Sequence, residues 1–509
     1  MSGAPAPPAG TFYYVGVDVD EASGVVECHY RLSGCDAVSG GRPGHLDFVE
    51  RVSVGPGLDW GPEAHEAARL VYLLCGVSYY KAGAPPVIDL GGTPMRPGEA
   101  PFLRRFYLDG LGEFAYRNGL DLTGLVVTGG SPVPGAGGPR APAVAARPLV
   151  PFGGGVDSIV TAEALRGAVE GPTLFVLSRP GDRFAAIEAA AAVSGLPLRR
   201  AGRELDARLL DPAGPGLLDG HVPVTGIVSA VAVLVAALAG HDAVVMSNER
   251  SASSGNLRVG DRWINHQWSK SLAFEDGFAA VVGSALGGAV AYFSALRPCS
   301  ELWVAQRFAS LERYHPVFRS CNRAFALDPA RRAQEWCGRC DKCCFVDLVL
   351  APFMAAGALR AVFAGREPLE DPTLADRFRT LVGLPPASCL PADTKPWECV
   401  GDVEECRAAL RLAGARPDRA GTPTLEALVA ELAGDQGGGG DVGGGPGAGG
   451  EDGGTGPGAG GEDGGTGPGA GGDMLVPAGE HRVPEHLAAA LLGLPRAATI
   501  GSRTLPACR

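Results

Sequence analysis

Leu149-Val150-Pro151-Phe152-Gly153-Gly154-Gly155-Val156-Asp157-Ser158-Ile159-Val160 decides how this chain is read. The stretch predicts a short apolar strand, a three-glycine turn, and an Asp-Ser pair opening a helix from Ile159 to Leu165. Glycines let backbone come close to a ligand and take positive φ. The serine hydroxyl and the free N–H groups of a helix start can hold phosphate oxygens. Gly153, Gly154, Gly155, Asp157 and Ser158 are therefore nucleotide-site candidates. Two other phosphate loops are excluded here by spacing: this stretch has no G-x-G-x-x-G and no Gly-Lys-Ser/Thr ending.

Outward from this loop, strands and helices alternate. Strands are expected at Leu149–Phe152, Thr173–Leu177 and Ala243–Met246, and helices at Ile159–Ala168, Phe184–Ser194 and Val224–Ala239. That order implies an α/β fold with a parallel sheet and ligands over the carboxyl ends of its strands. The segments following the strands then become suspects: Ser178-Arg179-Pro180, and Ser247 to Ser251 with Asn248, Glu249 and Arg250. Backbone at Val176 and Leu177 is placed to meet adenine, and Glu249 or Arg250 to face phosphate or Mg²⁺; ordinary solvated loops are the alternative. Asn265-His266-Gln267-Trp268-Ser269-Lys270 has the composition of a substrate loop, with His266 for proton transfer and Lys270 for a phosphate or carboxylate. Arg297, Glu301, Tyr314 and His315 make another polar group, which the sequence leaves open between scaffold and site.

Before the loop, β-like runs at Phe12–Val19, Val25–Leu32 and His45–Val54 predict a small antiparallel sheet, and helical spacing marks Pro62–Tyr80 and Phe102–Asn118. The resulting organisation is a loose tail at 1–10, an N-terminal α+β domain at 11–147 and a nucleotide-binding domain at 148–330. A cysteine-cluster and helical region at 331–435, a Gly-rich linker at 436–473 and a tail at 474–509 follow. The linker repeats G-P-G-A-G-G-E-D-G-G-T at period 11 and holds nothing apolar enough to fold.

Net charge is −12, which argues against nucleic acid as the main partner. The apolar runs Val222–Ala239 and Phe278–Leu296 read as buried helices rather than membrane spans. Thirteen cysteines in 509 residues are too sparse for a disulfide scaffold, so the thiols read as reduced and cytoplasmic. Cys337, Cys340 and Cys343, with Cys321 sixteen residues upstream, have spacings that suit a structural Zn²⁺. An iron–sulfur cluster and unliganded thiols are the alternatives.

The glycine loop resembles the PP-loop of ATP pyrophosphatases, S-G-G-x-D-S, through Gly154, Gly155, Asp157 and Ser158, with Gly153 in place of the serine. Over roughly Tyr13 to Ala409 the chain resembles the UDP-N-acetyl-α-D-muramoyl-L-alanyl-L-glutamate epimerases. The strings that carry this are Gly76–Lys81, Gly110–Gly119, the glycine loop, Asn248–Ser253, Asn265–Lys270, Ser320–Arg323, Trp336–Cys343 and Lys395–Gly401. Val156 stands where the family's loop has a lysine, so the phosphate cation falls to Lys81, Lys270 or Arg250. The resemblance implies a PP-loop, adenine nucleotide alpha hydrolase-like fold, with ATP and Mg²⁺ as cofactors. It implies the UDP-N-acetylmuramoyl dipeptide as substrate in peptidoglycan synthesis, and a functional link to the ligase that adds the L-glutamate.

The implied chemistry has a physical logic. A free carboxylate resists loss of its α-proton, and capping it with adenylate removes the charge and makes the carbonyl an electron sink. His266, Lys270 and Asp157 are the catalytic candidates, with His221, His315 and Cys321 as alternatives for base and acid. Tyr79, Tyr80, Tyr116, Arg117 and Asn118 are candidates for the uridine and sugar, or for packing between domains. Two other classes stay open: a PP-loop enzyme that adenylates for amidation or thiolation, and a non-catalytic binding protein.

Overall fold

The computed structural model describes residues 10–34, 44–136, 144–210, 217–326, 328–385, 396–435 and 473–493. The expected tail at 1–9, the glycine-rich repeat, Lys395 and residues 494–509 lie outside them. Ten strands form one sheet: β1 (Thr11–Asp20), β2 (Val25–Ser33), β3 (His45–Ser53), β4 (Val87–Asp89) and β5 (Val126–Thr128), then β6 (Pro148–Pro151), β7 (Thr173–Ser178), β8 (Leu198–Glu204), β9 (Ala243–Met246) and β10 (Ala291–Ser294). Their spatial order is β10-β9-β6-β7-β8-β3-β2-β1-β4-β5.

The parallel half, β10-β9-β6-β7-β8, is wound both ways from its central strand. The chain runs from β6 outward to β8, then crosses back to β9. The crevice opened by that reversal lies beyond the ends of β6 and β9, which is where such sheets bind ligands. Alternation along the strands supplies two cores. Leu149, Val244 and Tyr292 face one, with helices Pro62–Cys75, Val224–Ala239 and Leu272–Leu286. Val150, Val245 and Phe293 face the other, with helices Val156–Arg166, Ala185–Ser194, Glu301–Ala309 and Asp341–Leu350. Val224–Ala239 is apolar all round because it packs on helix Pro62–Cys75 as well as on β6 and β9. No helix among the described residues is long and apolar enough to cross a membrane.

Four expectations need correction. The N-terminal strands do form an antiparallel meander, but it is not a separate sheet: β3 pairs antiparallel with β8, Gly202 opposite Ser53 and Glu204 opposite Arg51. The charged composition of β8, Leu-Arg-Arg-Ala-Gly-Arg-Glu, hid that strand; its Arg203 is satisfied by Glu50 at 2.7 and 3.1 Å and by the Ser78 hydroxyl at 2.8 Å. The apolar run Phe278–Leu296 is not one helix, for the helix ends at Leu286 and the rest supplies β10. Helix Pro62–Tyr80 breaks at Gly76 into Pro62–Cys75 and Val77–Tyr80. Phe102–Asn118 is likewise two helices, Glu99–Leu108 and Gly112–Arg117. At that second break a Cβ on Gly110 would lie 2.3 Å from the Phe106 carbonyl oxygen and 2.8 Å from Pro223, so only glycine fits.

Beyond the sheet, helix Val403–Gly414 starts in a capping box between Asp402 and Glu405. The segment at 473–493 is packed rather than trailing: helix Glu485–Leu492 buries Leu487, Leu491 and Leu492 against helix Val156–Arg166.

Candidate active site

A cavity of about 540 Å³ opens at the carboxyl ends of the parallel strands. Its floor is the glycine loop, with Gly153, Gly155, Asp157 and Ser158 on its lining, and Phe175, Val176, Leu177, Phe184 and Ile187 make an apolar wall. Gly154 turns the chain at φ +72°, where a Cβ would sit 3.0 Å from the Ala186 carbonyl oxygen. The Ser158 hydroxyl donates to the Gly155 carbonyl at 3.1 Å. Asp157 is pushed up to about 6 by burial and by the Glu249 carboxylate, against the pull of Lys342 and Lys270.

Glu249 belongs to a buried acidic group behind the loop. Burial and then Glu249 and Asp157 hold Glu301 well above the carboxylate range; burial, Asp402 and Glu249 push Glu405 up to about 7. Asn248 lines the cavity, whereas Glu249 and Arg250 stand behind its lining. The Arg250 N–H donates to the Cys299 carbonyl at 2.9 Å, and its charge acts on Cys299 and Glu405.

The opposite wall carries a chain of contacts that brings distant segments together. Buried Glu113 accepts from Arg117 at 2.6 Å and its second oxygen meets His266 Nδ1 in a short contact. His266 in turn hydrogen-bonds the Cys399 thiol, whose Sγ lies 3.2 Å from Lys270 Nζ. Burial opposes charge on His266, but Cys399 and Glu113 outweigh it and raise the imidazole to about 9. Burial likewise opposes the Cys399 thiolate, yet Lys270, His266 and Lys342 pull it down to about 6. At neutral pH the pair is thiolate and imidazolium. Loop 265–270 is fixed, not solvated: His266 N–H donates to Asn256 at 2.7 Å, Gln267 N–H to the Asn265 side chain at 2.7 Å, and Asn265 Nδ2 to the Ala252 carbonyl at 2.9 Å.

His221 lies beside His266 with ring centroids 4.3 Å apart and the planes tilted by 42°, and its Nδ1 is 3.9 Å from Glu113. Burial and the neighbouring imidazolium push it down to about 4, so it stays neutral. Glu113, His221 and His266 are close enough to hold a cation. The Arg117 guanidinium already on Glu113 and the His266 contact to Cys399 favour a proton relay there instead.

Cys321, Cys337, Cys340 and Cys343 converge with all four sulfurs within 4.8 Å of one another. Cys343 Sγ is 3.5 Å from Cys337 and 3.4 Å from Cys340, against about 3.8 Å for sulfurs around tetrahedral zinc. The donor set fits a structural Zn²⁺, and Cys321 is buried in this group and not on the cavity lining.

Other candidates fall elsewhere. Tyr79 and Tyr80 are buried among Tyr30, Phe48, Phe12 and Tyr107, in the N-terminal core. Tyr116 is 49% exposed and stacks on Trp397 at 5.7 Å, with Arg117 over the same ring at 5.6 Å. Asn118 donates to the Phe114 and Asp219 carbonyls. His315 packs on Phe308, away from the cavity, and Tyr314 bonds Glu163. Arg297 is a buried tie, donating to Glu275 at 2.9 Å, the Glu249 carbonyl at 2.7 Å and the Lys270 carbonyl at 2.6 Å. Ser178 turns back onto its own loop, donating to the Asp182 carbonyl at 3.1 Å. Sequence reasoning did not nominate Glu113 or Cys399, although both lie in strings that carried the resemblance.

Comparison with known proteins meets the same chain. The MurL N-terminal domain description matches residues 6–295, and the MurL C-terminal domain residues 317–439. A UDP-N-acetyl-alpha-D-muramoyl-L-alanyl-L-glutamate epimerase of Xanthomonas oryzae pv. oryzae is 42% identical over 380 residues, 73% of this chain and 81% of that protein. The protein of that name from Salinispora tropica is 40% identical over 428 residues, 82% of this chain and 88% of its own. With both domains matched in order and relatives aligned over most of their length, the chain belongs to the MurL epimerase family and is an isomerase.

Proposed function

We propose that the chain inverts the α-carbon of the terminal L-glutamate in UDP-N-acetylmuramoyl-L-alanyl-L-glutamate, giving the D-glutamyl product for peptidoglycan synthesis. ATP activates the substrate as an acyl-adenylate with release of diphosphate, in a parallel sheet of PP-loop type, and after inversion water cleaves the acyl–phosphate bond, freeing AMP and the glutamyl carboxylate in the cytoplasm. The observation that carries this reading is a phosphate-type glycine loop and a thiolate–imidazolium pair facing one cavity.

The residues fit the nucleotide and its cation. The apolar wall at Phe175, Val176 and Leu177 suits a flat base, and the N–H groups at the helix start suit phosphate. Asp157 stands on the cavity lining beside the glycine loop as a buried carboxylate, an oxygen donor of the kind that would hold Mg²⁺. Bound there, Mg²⁺ would neutralise the departing diphosphate.

Within the substrate, adenylation of the glutamyl carboxyl turns the carbonyl into an electron sink. Cys399, as thiolate, takes the α-proton from one face. His266, held protonated by Glu113, returns a proton to the other. Both groups line the cavity, and the α-carbon is received between them. Lys270 keeps the thiolate ionised and steadies charge gathering on the carbonyl oxygen. Tyr116, Arg117 and Trp397 form a rim of stacking and cationic surface suited to the uridine end.

The test is incubation with ATP, Mg²⁺ and the UDP-muramoyl dipeptide in deuterated water. Expected products are AMP, diphosphate and D-glutamyl product deuterated at the α-carbon. Inversion without nucleotide consumption, or a new amide or thio product, overturns the proposal.

A further inference from the structure

Diphosphate leaving ATP as an adenylate forms needs positive charge beside it, and the glycine loop brings none of its own. From Leu149 to Leu165 the charged side chains are Asp157 and Glu163, and Val156 is turned into the core at 8% exposure. The three cations named from the sequence have other neighbours. Lys81 is bound to Asp219 at 2.6 Å and to the Gly220 carbonyl at 3.1 Å. Arg250 stands behind the lining, and Lys270 donates to Cys399 and Gln267.

Arg319 is different. It lines the cavity together with the loop, and its backbone N–H donates to the Gly154 carbonyl at 3.3 Å. Nη1 is steadied by the Phe318 carbonyl at 2.7 Å, while Nε is buried with no hydrogen-bond partner. The next residue, Ser320, places its hydroxyl 2.7 Å from where a Cβ on Gly155 would stand, so it fills the hollow of the loop.

We propose that Arg319 and Ser320 complete the phosphate cradle, giving the glycine loop the cation and the hydroxyl it lacks at Val156 and Gly153, for the polyphosphate of a nucleoside triphosphate. This rests on the nucleotide reading of the loop above. It also gives the thiol cluster a purpose, because Cys321 follows directly and fixes the end of this segment. The donors come from a part of the chain more than 150 residues beyond the loop.

The test uses the full chain and two probes, ATP with Mg²⁺ and inorganic pyrophosphate, with binding measured by calorimetry and diphosphate release by a coupled assay. Arg319→Ala is expected to weaken pyrophosphate binding about tenfold or more and to slow diphosphate release; Arg319→Lys should recover part of both. Ser320→Ala should weaken binding by a smaller factor. If Arg319→Ala loses its thermal transition, Arg319→Gln and Ser320→Ala carry the test in its place. Wild-type protein that binds both probes, with Arg319 variants that bind them equally well, overturns this inference alone. Wild-type protein that binds neither overturns the nucleotide reading, and this inference with it.

Discussion

Replacing Cys399 by alanine separates the two halves of the proposed reaction. The thiol lines the cavity opposite the glycine loop, so its loss leaves the loop, Asp157 and Arg319 in place. Diphosphate release should stay within a few-fold of wild type. A positioned base contributes about 10²- to 10⁴-fold, so exchange of the substrate α-proton should fall by that factor, roughly 3–5 kcal/mol of barrier. The assay follows diphosphate release and α-deuterium uptake in the same sample in deuterated water. The pH profile adds a second reading. A base works only when deprotonated, so the exchange rate is lost as pH falls through about 6, where Cys399 titrates. An acid works only when protonated, so it is lost again as pH rises through about 9, where His266 titrates. In Cys399→Ser the acid limb should vanish, because a hydroxyl does not ionise there. Native-rate exchange in Cys399→Ala refutes the assignment outright.

Glu113→Gln removes one charge holding His266 protonated, so the alkaline limb of the exchange profile should move below about 9 while the ATP dependence of diphosphate release is unchanged; an unmoved limb removes Glu113 from the relay. Arg297→Met leaves Glu275 as a buried carboxylate without its cation, and the denaturation midpoint should register about 3–5 kcal/mol of lost stability. Purified protein should carry one zinc per chain by elemental analysis, and Cys343→Ser should lose it with a lowered thermal transition; iron and inorganic sulfide in its place would reassign the cluster.

The alternation from Leu149 onward made the parallel half legible, because apolar strands and glycine turns are local signals that tertiary context reinforced. What escaped was decided by partners far away in sequence. Strand β8 reads as a polar surface segment until Arg203 is seen against Glu50, and β3 supplies an edge that no local pattern announces. Strand β10 was absorbed into an apolar run whose helix stops after Leu286. In the candidate site, His266, Lys270 and the glycine loop stood out as dense or unusual strings. Glu113 looked like one more charge on a short helix, and Cys399 like one more thiol. Their meaning depends on Gly110, which turns the chain so that helix Gly112–Arg117 aims Glu113 at a loop 153 residues downstream.

Lys270 stands between the two halves of the proposed reaction. Its ammonium is 3.2 Å from Cys399 on one side and feels Glu249 and Asp157 on the other. Burial alone would discharge it; Cys399 first, then the carboxylates, hold its pKa above the ordinary lysine range instead. In the proposed reaction, bound polyphosphate adds negative charge on the nucleotide side and draws the ammonium away from the thiolate. Once diphosphate has left, Cys399 is again the strongest counter-charge of Lys270, and the ammonium holds the thiolate ionised. The base is then most fully ionised when the adenylated glutamate stands beside it, so a shared cation favours activation before proton removal.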